Sequence, residues 1–475
     1  MPDIRYVCLS DMHLGASNSL LTNLTPDGMA VDPAKPSPVL VHLVECMREI
    51  VSKNETAKKP TLVLNGDILE LALATDNIAA MAFERFVELI LPQRGEPLFD
   101  RRVIYIPGNH DHHLWETARE AQYIRYISRM SPEVPLPVPW HATDMFRPAP
   151  PVPSSILEEM IHRCAPSQEL SVDTIYPNWG LLDGTGQRCV VFSHGHFTES
   201  IYQLMSTLKS MIFPSRERPR ATWDYEAENF AWIDFFWSTL GRSGDVGTDM
   251  EVVYDKLSSV RQTDILISNL VSGLAKKLGK SWPFWLPQSA VKYGLGKVLG
   301  QEGALERRSA DAPLSAAGRE GLKAYLEGPL REQILEERKH NMPPVAGFIY
   351  GHTHKPFVEE MQFGGYSGRT SVYNSGGWVV DTLTASPAHG GAIILVDEDH
   401  NVVSLLMYKE AEDPGAYAVR VEAATQPGGV ANPLLRHVQS SVDPERDPWR
   451  KFSKTVAKER LLRVGNLKMK VQSAG

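Results

Sequence analysis

Five short apolar runs in this chain each stop in a polar, glycine-containing turn, and this pattern narrows the fold more than any other feature. They are "IRYVCLSDMH" (4–13), "PTLVLNGD" (60–67), "RVIYIPGNHD" (102–111), "CVVFSHGH" (189–196) and "VAGFIYGHTH" (345–354). Such β-branched and aromatic runs read as buried strands. Between the first three, "PVLVHLVECMREIVSK" (38–53) and "AMAFERFVELILPQ" (80–93) repeat apolar residues every three or four positions, as amphipathic helices do. Strand, turn and helix alternate, so the class is α/β. Functional groups in such folds collect where strands end and turns converge.

The 475 residues, 43% hydrophobic and 22% charged, are enough for one large core or two to three smaller ones. A proline-rich stretch, 132–153, reads as an extended loop before a hairpin near 175–192. Residues 197–344 change character to long amphipathic helices rich in aromatics, read as a helical insertion. It divides the core into 1–196 and 345–410, and residues 411–475 read as a polar, charged tail. Within the insertion, "AWIDFFWSTLG" (231–241) and "LAKKLGKSWPFWLP" (274–287) set Trp and Phe among Lys, which suits peripheral contact with acidic lipid or a lid over the site. Aromatic stripes at helical spacing usually bury against neighbours, so the core of a helical cap is the favoured reading.

Charge and cysteine use limit the partners. A formal net charge of −8 leaves no global field to attract DNA or RNA, so nucleic acid is disfavoured. Cys8, Cys46, Cys164 and Cys189 lack CxxC spacing and read as reduced, structural residues. The N-terminus runs straight into a strand without a signal core, and no stretch reaches the roughly 18 apolar residues of a spanning helix. A cytoplasmic location is therefore the default, and the oligomeric state stays open.

The turns carry chemistry. They hold Asp11 and His13 in "SDMH", Asp67 in "NGD", Asn109, His110 and Asp111 in "GNHD", His194 in "SHGH", and His352 and His354 in "GHTH". Side chains two apart on an extended segment point the same way, so His352 and His354 can converge on one point. Together the turns offer carboxylates for charge, imidazoles and an amide oxygen as neutral ligands, and a carboxylate able to bridge, which suits two divalent cations about 3.5–4 Å apart. Oxygen and nitrogen ligands without thiolate favour manganese, iron, zinc or cobalt. A water bridging two such ions would be acidic enough to act as hydroxide near neutral pH.

The order of "SDMH", "NGD", "GNHD", "SHGH" and "GHTH" resembles that of the calcineurin-like metallophosphoesterase superfamily, over about residues 1–115, 186–198 and 345–407. The resemblance implies a four-layer αββα sandwich of two mixed sheets, with the site at one edge. It also implies two divalent metal ions, manganese first. Asp11, His13, Asp67 and His354 would hold one, and Asp67, Asn109, His194 and His352 the other, with Asp67 as the bridge. His110 would contact the phosphoryl group or protonate the leaving oxygen, and Asp111 would orient it.

The protein phosphatases of that superfamily carry GDxxDRG where this chain has "GDILELAL"; Glu70 replaces the acid and the arginine is missing. "GDILE", "NSGGW" (374–378) and "GHTHKP" look more like the branch of the UDP-2,3-diacylglucosamine pyrophosphatases, although His196 and His110 depart from its pattern. The resulting expectation is a dinuclear-metal-dependent phosphoesterase hydrolysing a phosphodiester or diphosphate bond with a metal-bridging hydroxide. The rivals are a phosphomonoesterase on a small metabolite or protein, and a scaffold binding a partner or membrane through its insertion. His196 could contact substrate, and Trp378 is expected to pack beneath the site.

Overall fold

The computed structural model describes residues 2–146, 152–166, 170–239, 289, 306, 312–425 and 431–473. Among these residues the strands form two sheets. The first joins β1 (Ile4–Leu9), β2 (Thr61–Leu64), β3 (Arg102–Tyr105), β4 (Val152–Pro153) and β5 (Ser171–Thr174) to three strands from the C-terminal part of the chain. The second contains β6 (Asn178–Leu182), β7 (Arg188–Ser193), β8 (Val345–Tyr350), β9 (Phe357–Gln362) and β10 (Arg369–Asn374), in the order β6-β7-β8-β10-β9. With β11 (Gly390–Asp397), β12 (Val402–Lys409) and β13 (Arg420–Glu422), the first sheet runs β13-β12-β11-β1-β2-β3-β5-β4.

Register places the site. Strands β1, β2 and β3 are parallel, with Tyr6 opposite Thr61 and Leu62 opposite Val103, so their three following turns emerge at one edge. Strands β7 and β8 are likewise parallel, with Arg188 opposite Val345, which brings the turns of His194 and His352 together. Toward the site these strands are apolar on both faces because both faces are buried there. In β1 and β2, Val7, Leu9, Leu62 and Leu64 face the helices, while Cys8 and Val63 face the opposite sheet. In β7, Cys189 and Val191 point outward and Val190 and Phe192 meet the first sheet.

The outer face of the first sheet is covered by α1 (Pro38–Val51), α2 (Asp76–Ile90) and later helices. Helix α1 begins where Ser37 Oγ accepts from Leu40 N at 3.2 Å and Pro38 presets the first turn. Helix α3 (His112–Ile127) leaves the "GNHD" turn and buries Trp115 and Ala118, and α4 (Ser155–Cys164) packs on α2. The second sheet's outer face is covered by α5 (Leu204–Ile212), α6 (Thr222–Ile233), α7 (Ala316–Tyr325) and α8 (Arg331–Glu337), through Ile233, Leu322, Tyr325 and Ile334 against Val191, Phe348 and Val372. These layers make the expected αββα sandwich. Trp237 is fully buried in this outer layer, whereas the aromatic segment 274–287 lies outside the described residues.

The stretch from 411, expected as a polar tail, differs from that reading. It contributes β13 to the sheet edge and continues into α9 (Pro433–Ser441) and α10 (Trp449–Ser473). Trp449, Phe452 and Val456 of α10 lie in the core beside α1. The apolar stripe is hard to see in the sequence because Arg460 and Arg463 occupy inward positions. Arg460 pairs with Glu410 at 3.2 Å, and Arg463 donates to Ser19 O and Thr22 O at 2.8 and 2.7 Å, tying α10 to the loop after His13. The four cysteines are free, and three of them are buried. Among the described residues no helix is long and apolar enough to cross a membrane.

Candidate metal centre

Asp11, His13, Asp67, Asn109, His110, His194, His352 and His354 meet at the shared edge of the two sheets, and none is more than 5% exposed. Their backbones are constrained: Asp11, His13, Asp67, His352 and His354 have φ of 49°, 44°, 51°, 68° and 58°. Non-glycine residues in this left-handed region each carry strain on the order of 1–3 kcal/mol, so the surrounding hydrogen bonds must impose it. Asp11 N donates to Gly66 O and His13 N to Asp67 O, both at 2.9 Å, which locks the first two turns together. Gly66 at φ +84° leaves the space taken by the His194 ring, and a Cβ at Gly351 would collide with Asp11 Oδ2.

Two pairs of imidazoles face each other. His13 Nε2 and His354 Nε2 are 3.2 Å apart, with Asp11 Oδ1 3.5 Å from the latter. His194 Nε2 and His352 Nδ1 are also 3.2 Å apart, and Asn109 Oδ1 lies 3.0 Å from His194 Nε2. A single oxygen, Asp67 Oδ2, stands between the pairs, 3.6 Å from His13 Nε2 and 3.4 Å from His194 Nε2. The outer nitrogens of His13, His354 and His194 each meet an acceptor, and that of His352 faces a carboxylate at ion-pair distance. His13 Nδ1 is 2.8 Å from Glu70 Oε2, and His354 Nδ1 is 2.7 Å from Asp381 Oδ2. His194 Nδ1 is 3.3 Å from Asn65 O, and His352 Nε2 is 3.1 Å from Glu199 Oε1.

This arrangement tests whether cations fit. An acceptor behind each ring calls for a proton on that outer nitrogen, which leaves a lone pair on the inner one. Lone pairs of two rings then converge at 3.2 Å beside carboxylate oxygens, a repulsive set that a divalent cation between them relieves. Burial works against charging His194 and His354, yet Asp67 and Asp381 respectively carry both up to about 9. Burial holds His352 below its ordinary value despite Glu199. For Asp11 and Asp67, burial is likewise the largest influence and pushes upward, but hydrogen bonds and charges from the histidines outweigh it and hold both below the usual carboxylate range.

His110 stands beside the first pair, its ring 4.8 Å from that of His13, with Nδ1 held 2.9 Å from Glu70 Oε1. The geometry gives Glu70 the orienting part expected of Asp111. Asp111 accepts from the main-chain N–H groups of Gly108, Asp67, Ile68 and Leu69 at 2.7–3.3 Å. It holds the "GNHD" turn against the "NGD" turn. Glu70, Asp381 and Glu199 are the partners that motif reading left without a role. Glu70 had a signal, three residues after Asp67; Asp381, at the end of "WVV", and Glu199, after "SHGHFT", had none. Trp378 packs against Tyr408 and Phe452 in the core beneath the site.

A second buried group adjoins the centre. His112 Nε2 lies 2.8 Å from Glu226 Oε1, and Tyr176 Oη donates to Glu226 Oε2 at 2.8 Å. Tyr176 Oη is also 3.0 Å from His196 Nε2, whose ring lies 5.6 Å from that of His194. Burial disfavours charge on His112, but Glu226 and Asp234 carry it up to about 10.

Comparison with known proteins agrees with this geometry. The family model described as calcineurin-like phosphoesterase matches residues 4–356, which span every ligand candidate. No curated protein matches the chain.

Proposed function

The chain belongs to the calcineurin-like phosphoesterase family, and from that premise we propose that this metal-dependent phosphoesterase cleaves a phosphodiester or diphosphate bond at the edge where the two sheets meet. Asp67 Oδ2, lying between two facing histidine pairs, is the observation that carries the reading. In it, Asp11, His13, Asp67 and His354 would hold one divalent ion, and Asp67, Asn109, His194 and His352 would hold the other. The ions would supply Lewis acidity toward the phosphoryl oxygens and an acidified water as nucleophile.

The protein's own groups position and balance. Glu70, Asp381, Glu199 and the Asn65 carbonyl stand behind the outer imidazole nitrogens, which would leave the inner ones free to ligate the ions. His110, fixed through Nδ1 by Glu70, contacts the phosphoryl group or passes a proton to the leaving oxygen. Asp111 keeps the turn of Asn109 and His110 in register with Asp67. The acid and the arginine of the phosphatase pattern are absent from "GDILELAL", where Glu70 turns inward to the histidines, and this favours a diester or diphosphate over a monoester. The likeness of "GDILE", "NSGGW" and "GHTHKP" to UDP-2,3-diacylglucosamine pyrophosphatases points the same way.

The test is hydrolysis of paired chromogenic aryl phosphate diester and monoester substrates by chelator-stripped protein, with and without Mn²⁺. Turnover restored by metal and faster on the diester is expected. Faster turnover of the monoester would select the phosphomonoesterase reading, and no turnover with any divalent metal would sink the enzyme reading for both substrate types.

A further inference from the structure

The helical layer over the second sheet reaches the candidate centre at one carboxylate. Glu226, on α6, is fully buried and bonds both the first turn of α3 and the connection between β5 and β6. One oxygen takes His112, three residues after Asn109; the other takes Tyr176, whose hydroxyl meets His196, two residues after His194. The next turn of the same segment reinforces the first contact. Asp234 lies 3.0 Å from His113 Nδ1, His113 N donates to Ser238 Oγ at 2.9 Å, and Ser238 Oγ donates to His110 O at 3.2 Å. His112, Glu116 and Glu226 are close enough to hold a cation of their own. Arg119, however, takes both oxygens of Glu116, and the group is already charge-compensated.

We infer that Glu226 is a positioning residue that sets the separation of Asn109 and His194, and so tunes one of the two metal half-sites and not the other. This rests on the metal-centre reading above. His112 opens the helix that follows Asn109, and Tyr176 passes the contact on to His196 beside His194, so both connections lead to the half-site of Asp67, Asn109, His194 and His352. The half-site of Asp11, His13 and His354 is backed by Glu70, which holds His13, and by Asp381, which holds His354. The segment 222–239 is on this account a strut under the site, fixed by the buried Glu226–His112 pair and the half-buried Asp234–His113 pair, and its removal would be felt at a distance of two hydrogen bonds.

Calorimetric titration of chelator-stripped full-length protein with Mn²⁺ tests the inference, alongside a melting curve. The wild type should take up two ions. Glu226→Gln should keep one at wild-type affinity and bind the other about 10- to 100-fold more weakly, as losses behind metal-binding histidines do. Tyr176→Phe, which removes only the hydroxyl between Glu226 and His196, should give a smaller loss on the same ion and covers the case in which Glu226→Gln fails to fold. Unchanged affinities for both ions in a folded variant would overturn the inference. So would an equal loss at both sites with a lowered melting temperature, since that is the mark of a general structural role. If the wild type itself takes up no Mn²⁺, the metal-centre reading fails, and the inference with it.

Discussion

Glu70 holds His110 and also its neighbour: Oε1 lies 2.9 Å from His110 Nδ1, and Oε2 lies 2.8 Å from His13 Nδ1. Burial alone would raise this carboxyl, but the charges and hydrogen bonds of His110 and His13 outweigh burial and hold it well below the usual range. An ionised carboxylate thus couples a metal-ligand candidate to the residue assigned to the leaving group. Glu70→Gln keeps the shape but turns an N–H toward one of two imidazoles that both require an acceptor. Turnover with saturating Mn²⁺ should fall about 10- to 100-fold, and a rate within about twofold of wild type would contradict this role.

Asp67 should be less forgiving. Its Oδ2 serves both clusters, so Asp67→Asn weakens each ion at once and should reduce activity by more than the roughly 10- to 100-fold typical of residues behind the ligands. The fold should survive, because Asn retains an oxygen to accept from His110 N. Bound metal measured after gel filtration, with a circular-dichroism melt, checks both halves. A variant that retains two ions and normal turnover would remove Asp67 from the bridge.

The His112–Glu226 pair gives a pH signature. Folding raises His112 from 6.5 to about 10, so its stabilising contribution is full below about 6.5 and is lost as pH climbs toward about 10. His112→Gln should therefore melt below wild type by the widest margin near pH 6, with the gap closing by pH 10. A gap that is constant across this range would mean that His112 is neutral in the folded protein.

Helix α10 should behave as part of the core. Phe452 is fully buried against Trp378, and Phe452→Ala should lower the unfolding free energy by about 3–5 kcal/mol in denaturant titrations. Deleting residues 431–475 should abolish cooperative unfolding, whereas a shortened chain that melts like the full one would return this segment to the status of a tail.

Much of this protein could be read before its structure. The strand-turn-helix alternation determines the class, because strands buried on both faces must be apolar throughout and can stop only where polar turns begin, as at Asp11, Asp67 and Asn109. Motif order then named the ligand candidates, since ligands to a shared cation are restricted to a few residue types at strand ends. What only the tertiary structure decided is which groups stand behind them. Asp381 and Glu199 lie 27 and 153 positions from the histidines they hold, and nothing local marks a carboxylate that bonds an imidazole across such separations. The same reason hid the role of Asp111, which spends its oxygens on the backbone of 67–69, and the burial of Arg460 and Arg463 within α10. A charged residue reads as solvated until the chain folds a partner onto it, and here the partners come from Glu410, Ser19 and Thr22.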